Sequence, residues 1–551
     1  MFKFRKPLKP KDCQQRRRDE LLSRLAPGPD LMEQPLTGDI EADVARFKKI
    51  FGGGVSDLVE REFFVGEHNA VRLVLFHIDG LVDKNAISEY ILNPLLFRTF
   101  ADWHGKILPT NAFQLIRDNL ATASDLTVSE KMKEIVDLVL YGDVAVFIQG
   151  AAQVLLFDLK EWPNRGVQEP SAEAVVRGPR EGFTETIRFN TSLIRRRLRT
   201  PRLRFDMYEL GRHTQTHICI TYVDGLVNPD TVAEIKRRVL DIDIDGILES
   251  GYIEDYIKDD FRTPFVLLDR TERPDKVCAA LLDGRAAILV DNTPFALIAP
   301  AVFPEFMQSP EDYYEGADFI RPFRWLALFL TLTMPSFYVA LTTFHQEMIP
   351  SNLALSIAAG RAGVPFPAVA EALMMEVVFD LLREGGLRMP HPIGSVMGIV
   401  GAVVLGQAAV AAGIVSPFIV IIVAGTAITS FLIPNYSSSL AIRFLRYPIL
   451  LLAGAFGLIG IFWGLMMLLL HLASLSSFGV PYLYPIAPAV PAEWHDVFVR
   501  APWWKMVWRP RLFRSPNPRR QPPGQHPAPP KKPSGGASRP PDQPPEGSEP
   551  E

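Results

Sequence analysis

Hydrophobic positions are distributed in two different ways along this chain, and the change falls near residue 320. Before it, apolar residues alternate in short runs or recur at helical spacing between Asp-Gly, Pro and charged turns, as in a domain of half-buried strands and helices. After it come four long runs, Trp325 to Phe344, Ile393 to Val415, Ser416 to Pro434 and Ile449 to Leu470, with no Asp, Glu, Lys or Arg in any of them. At a rise of ~1.5 Å per residue, each is about long enough to span the ~30 Å hydrocarbon core of a bilayer. They predict transmembrane helices, because a buried helix of a soluble protein rarely stays uncharged over such a length, and less often four times in one stretch.

Flanking charges set the expected topology. Arg321 and Arg324 precede the first run, and Arg500, Lys505, Arg509, Arg511 and Arg514 follow the last, which places both ends on the cytoplasmic side. The N-terminal MFKFRKPLKPKDCQQRRRDE is basic but has no apolar core of a secretory signal, so the soluble half is expected to stay in the cytoplasm. Ends on one side need an even number of crossings. If the weaker segment Ala368 to Leu382 crosses, Arg383, Arg388, Arg443 and Arg446 all fall inside, but the last long span, Ile449 to Leu470, then exits. Something in the Pro-rich Ser477 to Trp494 would have to return. If neither weak segment crosses, four spans suffice and Arg443 and Arg446 lie outside.

The soluble half carries an internal repeat. LVLFHIDGLVDKNAISEYI from Leu73 and ICITYVDGLVNPDTVAEIK from Ile218 share an alternating strand, Asp-Gly-Leu-Val and a helical pattern. LYGDVAVFIQG from Leu140 and LDGRAAILVDN from Leu282 follow in the same order, each resembling a hairpin that opens on a Gly. The fold expected is an α/β soluble half of two repeated subdomains, then an all-α multi-span transmembrane domain of four to six helices, then a disordered Pro-rich tail. By residue these are a basic N-terminal segment over 1–54, subdomains over 55–174 and 175–320, the membrane domain over 321–495, a basic cytoplasmic segment over 496–514 and the tail over 515–551.

Composition adds mostly exclusions. A formal charge of -4 and pI near 6.3 give no reason to expect nucleic acid as a partner. Cys13, Cys219 and Cys278 are widely spaced without a CxxC pair, which suggests a reducing compartment and no metal site. No HExxH, GxSxG, GxGxxG or P-loop occurs, so neither an enzyme nor a cofactor is expected. The Asp-Gly pairs read as tight strand-to-helix turns, with Gly at positive φ and Asp capping, in preference to a phosphate loop.

Two sets of polar residues stand out. Arg195, Arg196, Arg197 and Arg199 in the connector cannot share one helical face; they suit either a solvated helix paired to acids such as Asp241, Asp243 and Asp245 or an interface with a neighbouring subunit. In the membrane half, Glu376, Asp380 and Arg383 fall on one helical face, with Glu371 away from it. Charges at mid-bilayer cost ~2.5–3.5 kcal/mol each, so this face either lies at the interface, with Asp380 paired to Arg383, or lines water as a ring of Glu376 or Asp380 that favours cations. Gly394, Gly398 and Gly401 form a small face suited to close helix packing or a pore; Gln407 is a polar position in the same run, and Pro335 suggests a kink in the first span.

GPREGFTETIRFNTSLIRRR, SGYIEDYI, TERPDKV, DNTPFALIAP, EDYYEGADFIRPFRW, VPFPAVAEALMMEVVFDLLREGGLRMPHPIG and IVGAVVLGQAAVAAGIVSP, in this order, resemble the spore germinant receptor A-subunit family from about Asp57 to Arg514. SGYIEDYI and YVDGLV lean toward the receptor subunit and away from its paralogue associated with the dipicolinic-acid channel. The resemblance implies a multi-pass protein of the inner spore membrane beside a transporter-like, germinant-binding B subunit and a lipoprotein C subunit. It further implies a ring homo-oligomer, a pentamer, acting as a ligand-gated cation channel. The paralogous A-type subunit and a membrane-anchored signalling scaffold without a pore are the alternatives, and Pro335, Gln407, the glycines, Glu376 and Asp380 are the pore or gating candidates.

Overall fold

The computed structural model describes residues 29–388, 406–525 and 527, apart from 53–54, 67–69, 97–106, 109, 121–125, 162–169, 171–172, 174 and 316–319. In the first subdomain, α1 (Ile40–Phe51) precedes β1 (Leu58–Val65) and β2 (Val71–Ile78), and α2 (Ala112–Leu120) leads to β3 (Leu126–Ser129), α3 (Met132–Tyr141), β4 (Val144–Ile148) and β5 (Val154–Phe157). In the second, α4 (Ile187–Arg197) precedes β6 (Leu203–Leu210) and β7 (Thr216–Val223). Then come α5 (Pro229–Leu240), α6 (Ser250–Ile257), β8 (Asp269–Thr271), α7 (Pro274–Leu282), β9 (Ala286–Val290) and β10 (Ala296–Ala299).

The sheet orders are β1-β2-β4-β5-β3 and β6-β7-β9-β10-β8, the same topology twice, antiparallel throughout. The repeated motifs thus fall on equivalent strands, and both Gly-led runs form hairpins. β4 and β9 are central and wholly buried, which is why VAVFI and AAILV show no polar alternation. Phe47 of α1 packs on Phe76 and Phe147, fixing that helix to the first sheet.

The Asp-Gly turns do place Gly80 and Gly225 at φ 84° and 77°, where a Cβ would be strained. The cap, however, lies four residues beyond the expected Asp79 and Asp224. Asp83 accepts from the Asn85 N–H and Asn228 from the Asp230 N–H, because the chain needs two further residues of turn before either helix begins.

Beyond residue 320 the chain forms a helical bundle: α8 (Ile320–Thr343), α9 (Ser351–Arg361), α10 (Ala368–Arg388), α11 (Gly406–Ala411), α12 (Pro417–Phe431), α13 (Tyr436–Phe456) and α14 (Leu458–Ser474). Among the described residues, α8 and α13 are long and apolar enough to cross a membrane. The apolar run Ile449 to Leu470 is not one helix. It turns back at Gly457, so α13 and α14 form an antiparallel hairpin in which Gly460 meets the Leu452 carbonyl and Gly464 meets Ile449. A side chain at Gly460 would overlap that carbonyl, which explains the GxxxG spacing.

Contacts fix the direction of each helix. At the soluble-lobe end, Arg321 at the start of α8 bonds Asp312, Ser437 at the start of α13 bonds Arg270, and His471 near the end of α14 bonds Thr263. Arg383 of α10 meets Ser430 of α12 on this side too. At the far end, the Gly457 turn sits against Phe344 and His345, Val369 of α10 against Gly454, and Phe418 of α12 against Gly360. Hence α8 and α13 run away from the soluble lobes, and α10, α12 and α14 run back. The link from the near end of α10 to the far-end start of α12 includes 389–405, outside the described residues.

Because α14 ends at the soluble lobes, no returning segment is needed after it. The Pro-rich stretch instead docks on the second subdomain: Ser477 Oγ donates to the Leu267 carbonyl at 2.7 Å and Tyr482 Oη to the Val266 carbonyl at 2.7 Å. The first part of the expected disordered tail is docked as well. The Arg509 N–H donates to Pro518 O at 2.8 Å, while Arg509 Nε donates to the Leu282 carbonyl at 2.6 Å and Arg520 pairs with Asp283, so two arginines tie this segment to the end of α7 on the second subdomain. Residues 528–551 lie outside the described residues.

A buried charge cluster as candidate functional site

Glu376 and Asp380 lie one helical turn apart on α10, and the facing surface of α13 offers Arg443, Arg446 and Tyr447. Arg446 pairs with Glu376, both essentially without solvent exposure. Asp380 accepts from Tyr447 Oη at 2.6 Å and lies 3.5 Å from Arg443 Nη1 and 3.8 Å from Arg446 Nη2. The cluster sits near the midpoint of both helices. Four ionisable groups in an apolar bundle persist because each carboxylate has a guanidinium opposite, and truncating one partner would leave a buried charge uncompensated.

This geometry revises the sequence readings of the helix. Asp380 does not take Arg383 as its ion partner; Arg383 Nη1 bonds Ser430 Oγ at 3.1 Å and its guanidinium covers the Phe431 ring, since α12 lies on that side. Glu376 is enclosed between α10 and α13, not on an open face, because Arg446 reaches it from the neighbouring helix. Glu371 is also buried, with a carboxylate oxygen accepting from the Ser416 N–H at the start of α12 and Arg361 Nε 3.6 Å away. Sequence reasoning treated Arg443 and Arg446 as topology markers and missed them as ligands of the carboxylates. Two arginines three residues apart inside an otherwise apolar helix were the available signal.

The other expected residues are dispersed. Pro335 is buried within α8, which runs through it without interruption. Gln407 is exposed on α11, while Gly394, Gly398 and Gly401 lie outside the described residues.

The connector arginines are engaged within the chain. Arg195, 1% exposed, donates from Nε to Asp57 Oδ2 at 2.8 Å and from Nη2 to Asp57 Oδ1 at 3.0 Å, joining the second subdomain to the head of β1. It is thus removed from any subunit surface, because its partner arrives from the first repeat. Arg196 and Arg197 pair with Glu181, not with Asp241, Asp243 or Asp245, and Arg199 stacks on Tyr141. Burial would raise the Glu181 carboxyl, but the two guanidinium groups outweigh it and hold it below its ordinary value. Among the described residues no group of three His, Cys, Asp or Glu side chains could hold a metal ion.

The chain thus joins a duplicated antiparallel α/β lobe to a helical bundle that holds buried ion pairs. The family model of the Bacillus/Clostridium GerA spore germination protein matches residues 45–512, which spans both lobes and the bundle. The chain belongs to this GerA family. Among its relatives, spore germination protein KA of Bacillus subtilis is 42% identical to this GerA-family chain over 495 residues, covering 89% of it and 90% of the relative. The Bacillus subtilis membrane protein YfkQ is 40% identical, covering 91% and 96%, and the spore germination protein GerLA of Bacillus cereus is 39% identical, covering 84% and 93%. The crystal structure of the N-terminal domain of the A subunit of the Bacillus megaterium spore germinant receptor GerK3 is 33% identical, with a TM-score of 0.40, covering 49% of this chain and 98% of that one.

Proposed function

We propose that this GerA-family protein is the A subunit of a spore germinant receptor, held in the inner spore membrane by six crossings with both flanks of the bundle cytoplasmic. In this reading α8, α10, α12, α13 and α14 supply five crossings and the chain between α10 and α12 supplies the sixth. Arg383 and Arg388 then lie toward the cytoplasmic end of α10, in keeping with the charge rule, while Arg443 and Arg446 sit near mid-depth on α13. The subunit assembles as a ring, a pentamer by resemblance, beside B and C subunits, and its opening passes cations.

The observation that carries a gating role is the pairing of Glu376 and Asp380 with Arg443 and Arg446 at mid-bundle. An anchor gains nothing from charges there, whereas a two-state element does. The pairs latch α10 to α13; loosening them moves α10 and turns its carboxylates toward water. A pore-free scaffold is the second reading, favoured by the same cluster being closed within one protomer.

Potassium efflux from vesicles carrying the chain with its B and C partners, with and without candidate germinants, separates the two. Glu376→Gln and Arg446→Gln should change germinant-dependent flux while assembly persists. Absence of flux from a complete, germinant-responsive complex would remove the channel and leave the scaffold.

A further inference from the structure

The loop after α6 is tied to the bundle at the level where the last helix ends. Thr263 Oγ1 lies 3.0 Å from His471 Nε2, Phe265 packs on the His471 ring, and Ser476 Oγ donates to Asp259 Oδ2 at 2.8 Å. Thr263, Phe265 and Arg270 also share a cavity with Tyr436 and Leu440 at the start of α13. On this loop, Phe261 is 74% exposed with the Arg262 guanidinium 5.2 Å above its ring, and Tyr256 in the last turn of α6 is 58% exposed. These are large aromatic surfaces to leave in water, and the loop that carries Phe261 is tied to the end of α14, where Leu469 and Leu470 are also exposed.

We infer that Tyr256, Phe261 and Arg262 seat in the headgroup and glycerol layer of the phospholipid bilayer, making the second subdomain a peripheral membrane contact as well as a cytoplasmic lobe. The inference rests on the membrane reading above. The length of α14 commits the occupant to lipid. Its 17 residues give about 25 Å at ~1.5 Å per residue, shorter than the ~30 Å hydrocarbon core, so the bilayer boundary reaches the His471 end and the loop bound there lies in the interface. Aromatic rings flanked by a cation are the side chains that this layer favours.

The test uses the full chain in phosphatidylethanolamine and phosphatidylglycerol vesicles, with Cys13→Ser and the buried Cys219 and Cys278 retained. A nitrobenzoxadiazole label is placed at Phe261→Cys, at Phe462→Cys on α14, or at Leu248→Cys, which is exposed and precedes α6 on the side away from the loop. Headgroup nitroxide lipids should quench the Phe261 label several-fold more than aqueous iodide does, with the Leu248 label showing the reverse and the Phe462 label answering to mid-chain nitroxide. A Phe261 label that behaves like the Leu248 label, while the Phe462 label is lipid-quenched, overturns the inference and leaves the membrane reading standing. A Phe261 label shielded from both quenchers also overturns it, assigning the surface to another protein chain. An iodide-accessible Phe462 label brings down the membrane reading itself.

Discussion

Arg195 and Asp57 form a bidentate pair across the seam between the two repeated lobes, with both side chains removed from solvent. The same arginine donates to the Thr200 carbonyl at 2.9 Å and the Leu203 carbonyl at 3.2 Å, so one guanidinium orders the end of α4, the start of β6 and the first lobe together. Duplication produced two similar sheets, and this pair helps fix their relative placement. Asp57→Asn or Arg195→Gln is expected to destabilise the chain by about 3–5 kcal/mol, since either leaves a buried charge without its partner. Asp57→Leu with Arg195→Leu together should cost less than either single change, which denaturant unfolding of the four chains would measure.

The same logic applies inside the bundle. Glu376→Gln alone leaves Arg446 facing an amide and Asp380 at 3.8 Å, and about 3–5 kcal/mol of bundle stability is expected to be lost. Combining it with Arg446→Gln should restore most of that loss, read as thermal stability in detergent, while still altering germinant-dependent flux. Equal loss in the single and double variants would mean that the two side chains do not act on one another.

Much of this architecture was legible in the sequence because its signals are local. The two Asp-Gly-Leu-Val motifs announced the duplication, and the common strand order follows from it. What escaped depended on contacts across distance. Nothing local to Arg195 points to Asp57, and nothing near Glu376 points to Arg446, 70 positions away in the chain. The α13–α14 turn escaped for another reason. Gly457 lies in an unbroken apolar run, and hydropathy measures length without registering a reversal that only backbone geometry supplies.

That reversal makes a topological prediction. With the turn at the far end of the bundle, a cysteine at Phe456, 61% exposed, should react with a membrane-impermeant maleimide from the face opposite the soluble lobes, and one at Tyr436, 50% exposed, only from the lobe face. A single span from Ile449 to Leu470 would instead bury position 456 in hydrocarbon and leave it unlabelled. Gly460→Leu should abolish the labelling pattern by forcing the hairpin apart at the Leu452 carbonyl.

His77 supplies a pH dependence within the first lobe. It is buried in β2, and burial lowers its imidazole from the ordinary 6.5 to about 4, with Asp79 opposing this and Arg61 and Lys84 adding to it. The folded lobe therefore holds a neutral His77, and between pH 4 and 6.5 the unfolded chain binds the extra proton. Stability from this group is complete above about pH 6.5 and is lost as pH falls toward 4, a loss of about 2 kcal/mol by pH 5 at 1.36 kcal/mol per pKa unit. Hydrogen-exchange protection of the β2 and β4 amides, corrected for the intrinsic rate, should fall accordingly from pH 7 to pH 5. His77→Leu should flatten that fall, and an unchanged slope in the variant would assign the pH dependence to other groups.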